Sequence, residues 1–152
     1  MGRMSEQPPL ERFAQAQDRG DTYERAVAEL RAGRKTSHWM WFVFPQIAGL
    51  GRSPMAQEFA IASLAEAKAY LAHPVLGPRL VECAEILTTL SGRTAQDVFG
   101  SIDAMKLRSS MTLFARAAPD AAVFAQVVRQ YFEGSFDELT DRLLSASGPP
   151  GS

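Results

Sequence analysis

Between its breakers the chain repeats one spacing. Apolar residues recur three and four positions apart in almost every segment long enough to show a period, and only one run has β character. A strand needs a second strand to satisfy its backbone, whereas a helix bonds to itself. That asymmetry points to an all-α fold. An opening helix is expected near Leu10 to Gln17. A second follows Asp21 and ends at Gly33, with Tyr23, Ala26, Val27 and Leu30 on one face. Ser53-Pro54 marks another helix start, because proline in the first turn loses no needed hydrogen bond. Ser63-Leu64-Ala65-Glu66 has the form of a capping box, in which serine and glutamate each take one orphan backbone donor, and it opens a helix to Leu71.

Pro74 to Leu90 places Leu76, Leu80, Cys83, Ala84, Leu87 and Leu90 on a single stripe, so Cys83 reads as core. Thr94 to Phe99 gives one or two turns. Ser101 then caps a helix carrying Leu107, Met111 and Phe114, and Pro119 interrupts the chain. Val123, Phe124, Val127 and Tyr131 line the next helix, which Gly134 ends. Ser135-Phe136-Asp137-Glu138 reads as a second capping box introducing Phe136, Leu139 and Leu143. The lone strand candidate is Trp39 to Phe44, with nothing comparable to pair with it.

Length then fixes domain number. At 152 residues the chain suits one compact multihelical domain, expected over 10–144, with tails at 1–9 and 145–152 whose proline, glycine and serine content gives them little to pack. An apolar fraction of 46% against 22% charged residues is that of a folding chain rather than a disordered one. Sixteen Lys and Arg against 17 Asp and Glu leave a formal charge of −1, so no global field draws the chain to nucleic acid or anionic lipid. The single cysteine, the absence of a leader-like apolar region and the absence of a run of about 20 apolar residues lead to the expectation of a cytoplasmic protein without a membrane segment. Paired Cys/His spacings are missing, so neither a metal nor another cofactor is expected.

The unusual chemistry lies in Ser37-His38-Trp39-Met40-Trp41-Phe42-Val43-Phe44-Pro45-Gln46, flanked by Arg34, Lys35 and the Gly49-Leu50-Gly51-Arg52 loop. Its rings read first as a buried plug for a small helical core. Its polar fringe offers more: His38 is the candidate proton donor or acceptor, Trp39 and Trp41 can stack on a flat ring, Gln46 can bond to a ring edge, and Arg34, Lys35 and Arg52 can meet phosphate. The glycine loop lacks the third glycine and preceding strand of a dinucleotide fingerprint. His73, ahead of Pro74, reads as part of a helix start. A second candidate surface is Asp103 to Thr112, bearing Lys106, Arg108, Ser109 and Ser110, where Lys106 and Ser110 lie one turn apart beside the Leu107, Met111, Phe114 stripe.

Several stretches together carry a family resemblance. They are Arg12-Phe13 with Ala16-Gln17, Glu29 to Lys35, Ser37 to Gln46, Gly49-Leu50-Gly51, His73 to Leu80 and Lys106 to Phe114. With these the chain resembles, over about 10–144, the bacterial family known as domain of unknown function 1810. That resemblance implies a small multihelical domain and brings with it no established reaction, cofactor or catalytic residue. In size, helical character and C-terminal pattern, without a matched motif, the chain is also similar to the YbiA-like or NADAR domains, small helical proteins linked to N-glycosidic bonds in ADP-ribose or riboflavin-pathway compounds.

The functional expectation is therefore a pocket between the 38–52 segment and the Lys106 helix. It would bind a small anionic, phosphorylated, ring-bearing metabolite of nucleotide or ADP-ribose type, with N-glycosidic hydrolysis as a further option. The alternative is a non-enzymatic interaction or homodimer module using exposed rings such as Trp41 or Phe44. Single-stranded nucleic acid at Arg34-Lys35 is a third option, which the net charge disfavours.

Overall fold

The computed structural model describes residues 10–146, and among these the chain forms nine helices and no strand. They are α1 (Glu11–Asp18), α2 (Thr22–Ala32), α3 (Met40–Val43), α4 (Pro54–Glu58), α5 (Leu64–Ala72), α6 (Leu76–Thr89), α7 (Ala95–Ala117), α8 (Ala122–Phe132) and α9 (Glu138–Ala146). The tail expected at 1–9 lies outside the described residues, as does 147–152, while α9 runs two residues into the segment read as the C-terminal tail. No helix among the described residues is long and apolar enough to cross a membrane.

The start signals act largely as their chemistry dictates. Ser53 accepts from the Ala56 N–H with Pro54 in the first turn of α4. Ser63 accepts from the Glu66 N–H, and Glu66 reaches one residue beyond the usual box to accept from the Ala62 N–H at 2.7 Å. Three expectations change. Asp21 occupies the N-cap of α2 without a side-chain bond to it. Thr94 to Phe99 and the helix placed after Ser101 are one element, α7, bent where Gly100 leaves helical geometry, and its cap is the reciprocal Thr94–Asp97 pair rather than Ser101. Ser135 does not cap α9. Asp137 does, its Oδ2 accepting from the Thr140 N–H and hydroxyl at 2.9 and 2.6 Å, because helical geometry begins only at Glu138.

The strand candidate Trp39 to Phe44 is the helical turn α3. With no strand among the described residues to pair with, the segment bonds to itself, Val43 N–H to Trp39 carbonyl and Phe44 N–H to Met40 carbonyl. The only β pairing among the described residues is an isolated parallel bridge between Ile47 and Ile61.

Helix α7 is the central element, packed against α5, α8 and α9, while α6 lies against α2, α5 and α8. Rings run through the core in series. Phe59 meets Phe13, Phe13 meets Tyr70 edge-on at 5.2 Å between centroids, and Tyr70 meets Phe114, which meets Phe124. A second cluster of Trp39, Phe44 and Phe99 joins α3 to the first turns of α7.

Polar side chains fix α3 from below. The Gln17 amide donates to the Phe42 carbonyl at 2.7 Å, and Arg79 donates to the Gln17 oxygen at 3.1 Å while pairing with Asp18. His73 accepts at Nδ1 from the Val75 and Leu76 N–H groups, which leaves the proton on Nε2 to face Glu11 at 3.2 Å. The histidine therefore serves the start of α6, as its place in the sequence suggests.

Candidate functional site

Glu29 organises the segment that leads to the site. Oε1 of this buried carboxylate accepts from the Thr36 and Ser37 N–H groups and from the Trp39 indole N–H at 2.8 Å, and its other oxygen accepts from the Ser37 hydroxyl. Burial alone would raise its pKa, yet the donors of Ser37, Thr36 and Trp39 outweigh that and hold it down at about 2. The carboxylate thus fixes residues 36–39 from α2, with Trp39 1% exposed.

From that anchor the chain delivers two adjoining clefts. The inner one, about 200 Å³, is lined by Trp41, Ile47 and Phe59, by the amides Gln46 and Gln57, and by Ala48, Gly49 and Gly51 of the loop. Among the described residues, no charged side chain lines it. The outer one, about 280 Å³, lies between Leu50 of the loop, Ile102, Met105, Lys106 and Ser109 of α7, Asp137, and Leu139 of α9. Gln46 and Gly51 line both. A Cβ at Gly51 would sit 2.5 Å from the Ala56 Cβ, so glycine there lets the loop lie against α4 at the junction. Arg12 holds the far wall, donating to the Glu58 and Ala60 carbonyls at 2.6 and 2.7 Å.

The electrostatics converge on the junction. Lys35 is almost enclosed, its side chain 8% exposed, and meets Asp103 at 2.8 Å; Lys106 reaches the other oxygen of Asp103 at 3.4 Å. One carboxylate thus serves two ammonium groups, and the looser and more accessible one is Lys106. Its Nζ lies 4.8 Å from the centre of the Trp41 ring, so the cation of the outer cleft stacks on the indole of the inner one.

The residues singled out in the sequence divide accordingly. Trp41, Gln46 and Lys106 are brought together. Lys35 stands behind them, paired with Asp103 and facing the Trp39 ring at 5.1 Å. Trp39 is enclosed in the core. Arg34, His38 and Arg52 are exposed and line neither cleft. Arg108 is a clamp on the α8–α9 connection, donating to the Ser135 carbonyl and hydroxyl and to the Phe136 carbonyl. Ser110 is fully buried, its hydroxyl without a hydrogen-bond partner among the described residues, and its neighbour Ser109 reaches the outer cleft instead. Sequence reasoning passed over Glu29, Asp103, Phe59, Ile102, Met105 and Leu139. Of these, Glu29 lay within the Glu29 to Lys35 motif, and Asp103 and Met105 lay within the Asp103 to Thr112 surface, none of the three with a role of its own. No group of three or more His, Cys, Asp or Glu among the described residues is arranged to hold a metal ion.

Fold and clefts together define a small all-α domain with a two-chambered groove on one side of its longest helix. Within that class, the chain belongs to the family described as protein of unknown function DUF1810, which it matches over residues 7–144. It is similar to the crystal structure of the conserved hypothetical protein Rv1873 from Mycobacterium tuberculosis, with 50% sequence identity and a TM-score of 0.86 over 90% of this chain and 96% of that one. No curated protein matches the chain.

Proposed function

We propose that this protein binds a small ring-bearing anion of nucleotide type, with the ring against Trp41 and Gln46 in the inner cleft and the anion at Lys106. The observation that carries this reading is the Lys35–Asp103–Lys106 cluster. The close, enclosed Lys35 already balances Asp103, which leaves Lys106 as a surplus cation stacked on an indole where the two clefts meet. Each cleft alone is smaller than a typical ligand pocket of roughly 300 to 1,000 Å³, but joined at Gln46 and Gly51 they fall within that range.

The reading is one of binding. His38 lines neither cleft, so its place gives N-glycosidic hydrolysis no support from a positioned proton donor. A second reading, the interaction module, loses the rings on which it was first placed, since Phe44 is fully buried and Trp41 half-buried. It retains one supporting observation, the exposure of Ile102 and Met105.

Thermal-shift and calorimetric titration with nucleoside mono- and diphosphates and ADP-ribose tests the proposal. A ligand at a hundred times its Kd stabilises the fold by about 2.7 kcal/mol. At least one compound should do so in the wild type, with the gain lost in Lys106→Ala and kept in Arg34→Ala. Lys35→Met should also weaken binding, because Asp103 then claims Lys106. The proposal fails if no compound shifts the wild type or if Lys106→Ala responds as the wild type does.

A further inference from the structure

The outer cleft has a composition that a simple nucleotide leaves unused. Four of its lining side chains are aliphatic, Leu50, Ile102, Met105 and Leu139, and three are strongly exposed, Ile102 at 72%, Met105 at 71% and Leu139 at 48%. Large aliphatic groups held in water beside a concave surface are best used when something apolar fills it.

The charges of the same cleft limit what can accompany that group. Among the described residues Lys106 is the one cation in its lining, and Asp137 adds a carboxylate to the same lining. Asp137 is fixed as an acceptor by the Thr140 N–H and hydroxyl and by the Ser109 hydroxyl at 3.3 Å, so it does not turn away to make room for a second anion. Beneath, Asp103 is balanced by Lys35. The junction can neutralise one negative charge. A terminal phosphate monoester carries about −1.5 to −2 at neutral pH and would leave part of its charge facing Asp137.

Position adds the second constraint. Lys106 stands between the chambers, over Trp41 on one side and beside the aliphatic wall on the other. An anion held there has room for a substituent in each direction. From this we infer that the ligand is a singly charged phosphodiester, carrying a flat ring into the inner chamber and a short aliphatic chain into the outer one. The inference rests on the binding reading above and deepens it. A diester meets both constraints at once, having one charge and two substituents, and the uncharged inner chamber suits a neutral heterocycle bonded at its edge by the Gln46 amide.

The test is calorimetric titration of the full chain with adenosine and uridine 5′-monophosphates and with their methyl, butyl and hexyl phosphodiesters at one fixed ionic strength. For the better base, the methyl ester should bind at least as tightly as the parent nucleotide. Affinity should then climb by about three- to fourfold for each methylene enclosed, from methyl to butyl and onward to hexyl until the cleft is filled. In Ile102→Ser/Met105→Ser, a change confined to exposed side chains, the dependence on chain length should flatten. Trp41→Leu should weaken every ring-bearing compound. If the nucleotides bind and their esters bind no tighter, the diester inference is overturned while the binding reading stands. If neither nucleotide nor ester binds, both fall. A gain with chain length that survives in the double variant overturns the inference. So does a double variant that alters the sedimentation coefficient while the wild type shows no chain-length gain, which would assign the aliphatic face to a protein partner.

Discussion

At the scale of single residues, Glu29 carries a clear electrostatic contribution. It is 9% exposed and keeps its charge because four donors converge on it, one of them the indole of an enclosed tryptophan. Its pKa of about 2 against a usual 4.5 fixes the sign of a pH effect. A depressed carboxylate stabilises the fold fully above its unfolded value and loses that contribution as pH falls from about 4.5 toward 2. Two to three units correspond to about 3 kcal/mol. Denaturant unfolding should therefore show the wild type losing about that much across this window. Glu29→Gln should be less stable at pH 7 and flatter in the same acid window, and an unchanged slope would show that other carboxylates govern it. Glu29→Ala should cost more than Glu29→Gln, because it leaves the Trp39 N–H buried without an acceptor. Trp39 announces itself in the sequence as a large ring. Its acceptor ten residues earlier does not, since a glutamate on a helix reads as solvated surface until the fold returns the chain over it.

At the scale of elements, helix starts, stripes and breaks were largely legible because each depends on residues within one or two turns. Two of the differences are local, the uncapped Asp21 and the Thr94–Asp97 cap of α7, and two arise where distant contacts decide. Trp39 to Phe44 is helical because Gln17 from α1 donates to the Phe42 carbonyl and no strand among the described residues stands alongside; composition alone favours β there. Asp137 rather than Ser135 caps α9 because Arg108, from α7, takes the Ser135 hydroxyl. The His73 to Leu80 stretch gives the sharpest prediction at this scale. Gly77 opens α6 where that helix crosses the end of α5, and a Cβ there would lie 2.1 Å from the Leu71 carbonyl oxygen. Both partners are backbone, so neither can rotate aside. Ordinarily alanine is favoured over glycine within a helix by roughly 1 kcal/mol. Here Gly77→Ala should reverse that sign, destabilising by at least the 1–3 kcal/mol typical of an overpacked core, as read from chemical denaturation. A stabilised variant would mean that α5 and α6 do not meet this closely.

For the whole molecule, the sequence limited the answer to one helical domain with a stripe on each helix, but it could not say how the stripes face one another. The candidate site shows that limit. Trp41 and Gln46 lie in the conspicuous aromatic segment, and Lys106 was visible as a cleft border. Met105 lay within the Asp103 to Thr112 surface without a role of its own, Leu139 read as part of a core stripe and Ile102 carried no signal, and only the packing of α7 against α9 brings them to one cleft. The same packing joins the stripes into a single contiguous core, with Cys83 at its interior on the helix that touches α2, α5 and α8. Burial pushes its thiol up to about 12, and its sulfur lies 3.9 Å from the Tyr23 hydroxyl within that shell. At pH 8 the thiolate is then scarce, of order one in ten thousand, and the sulfur has no access to solvent. Reaction of Cys83 with a thiol reagent must wait for the core to open as a unit. Its labelling rate in native buffer should fall far below that of a free thiol, rise steeply with denaturant, and yield the same free energy as equilibrium unfolding. Labelling that is fast in buffer, or that responds weakly to denaturant, would show that α6 separates locally and that the stripes are not one cooperative core.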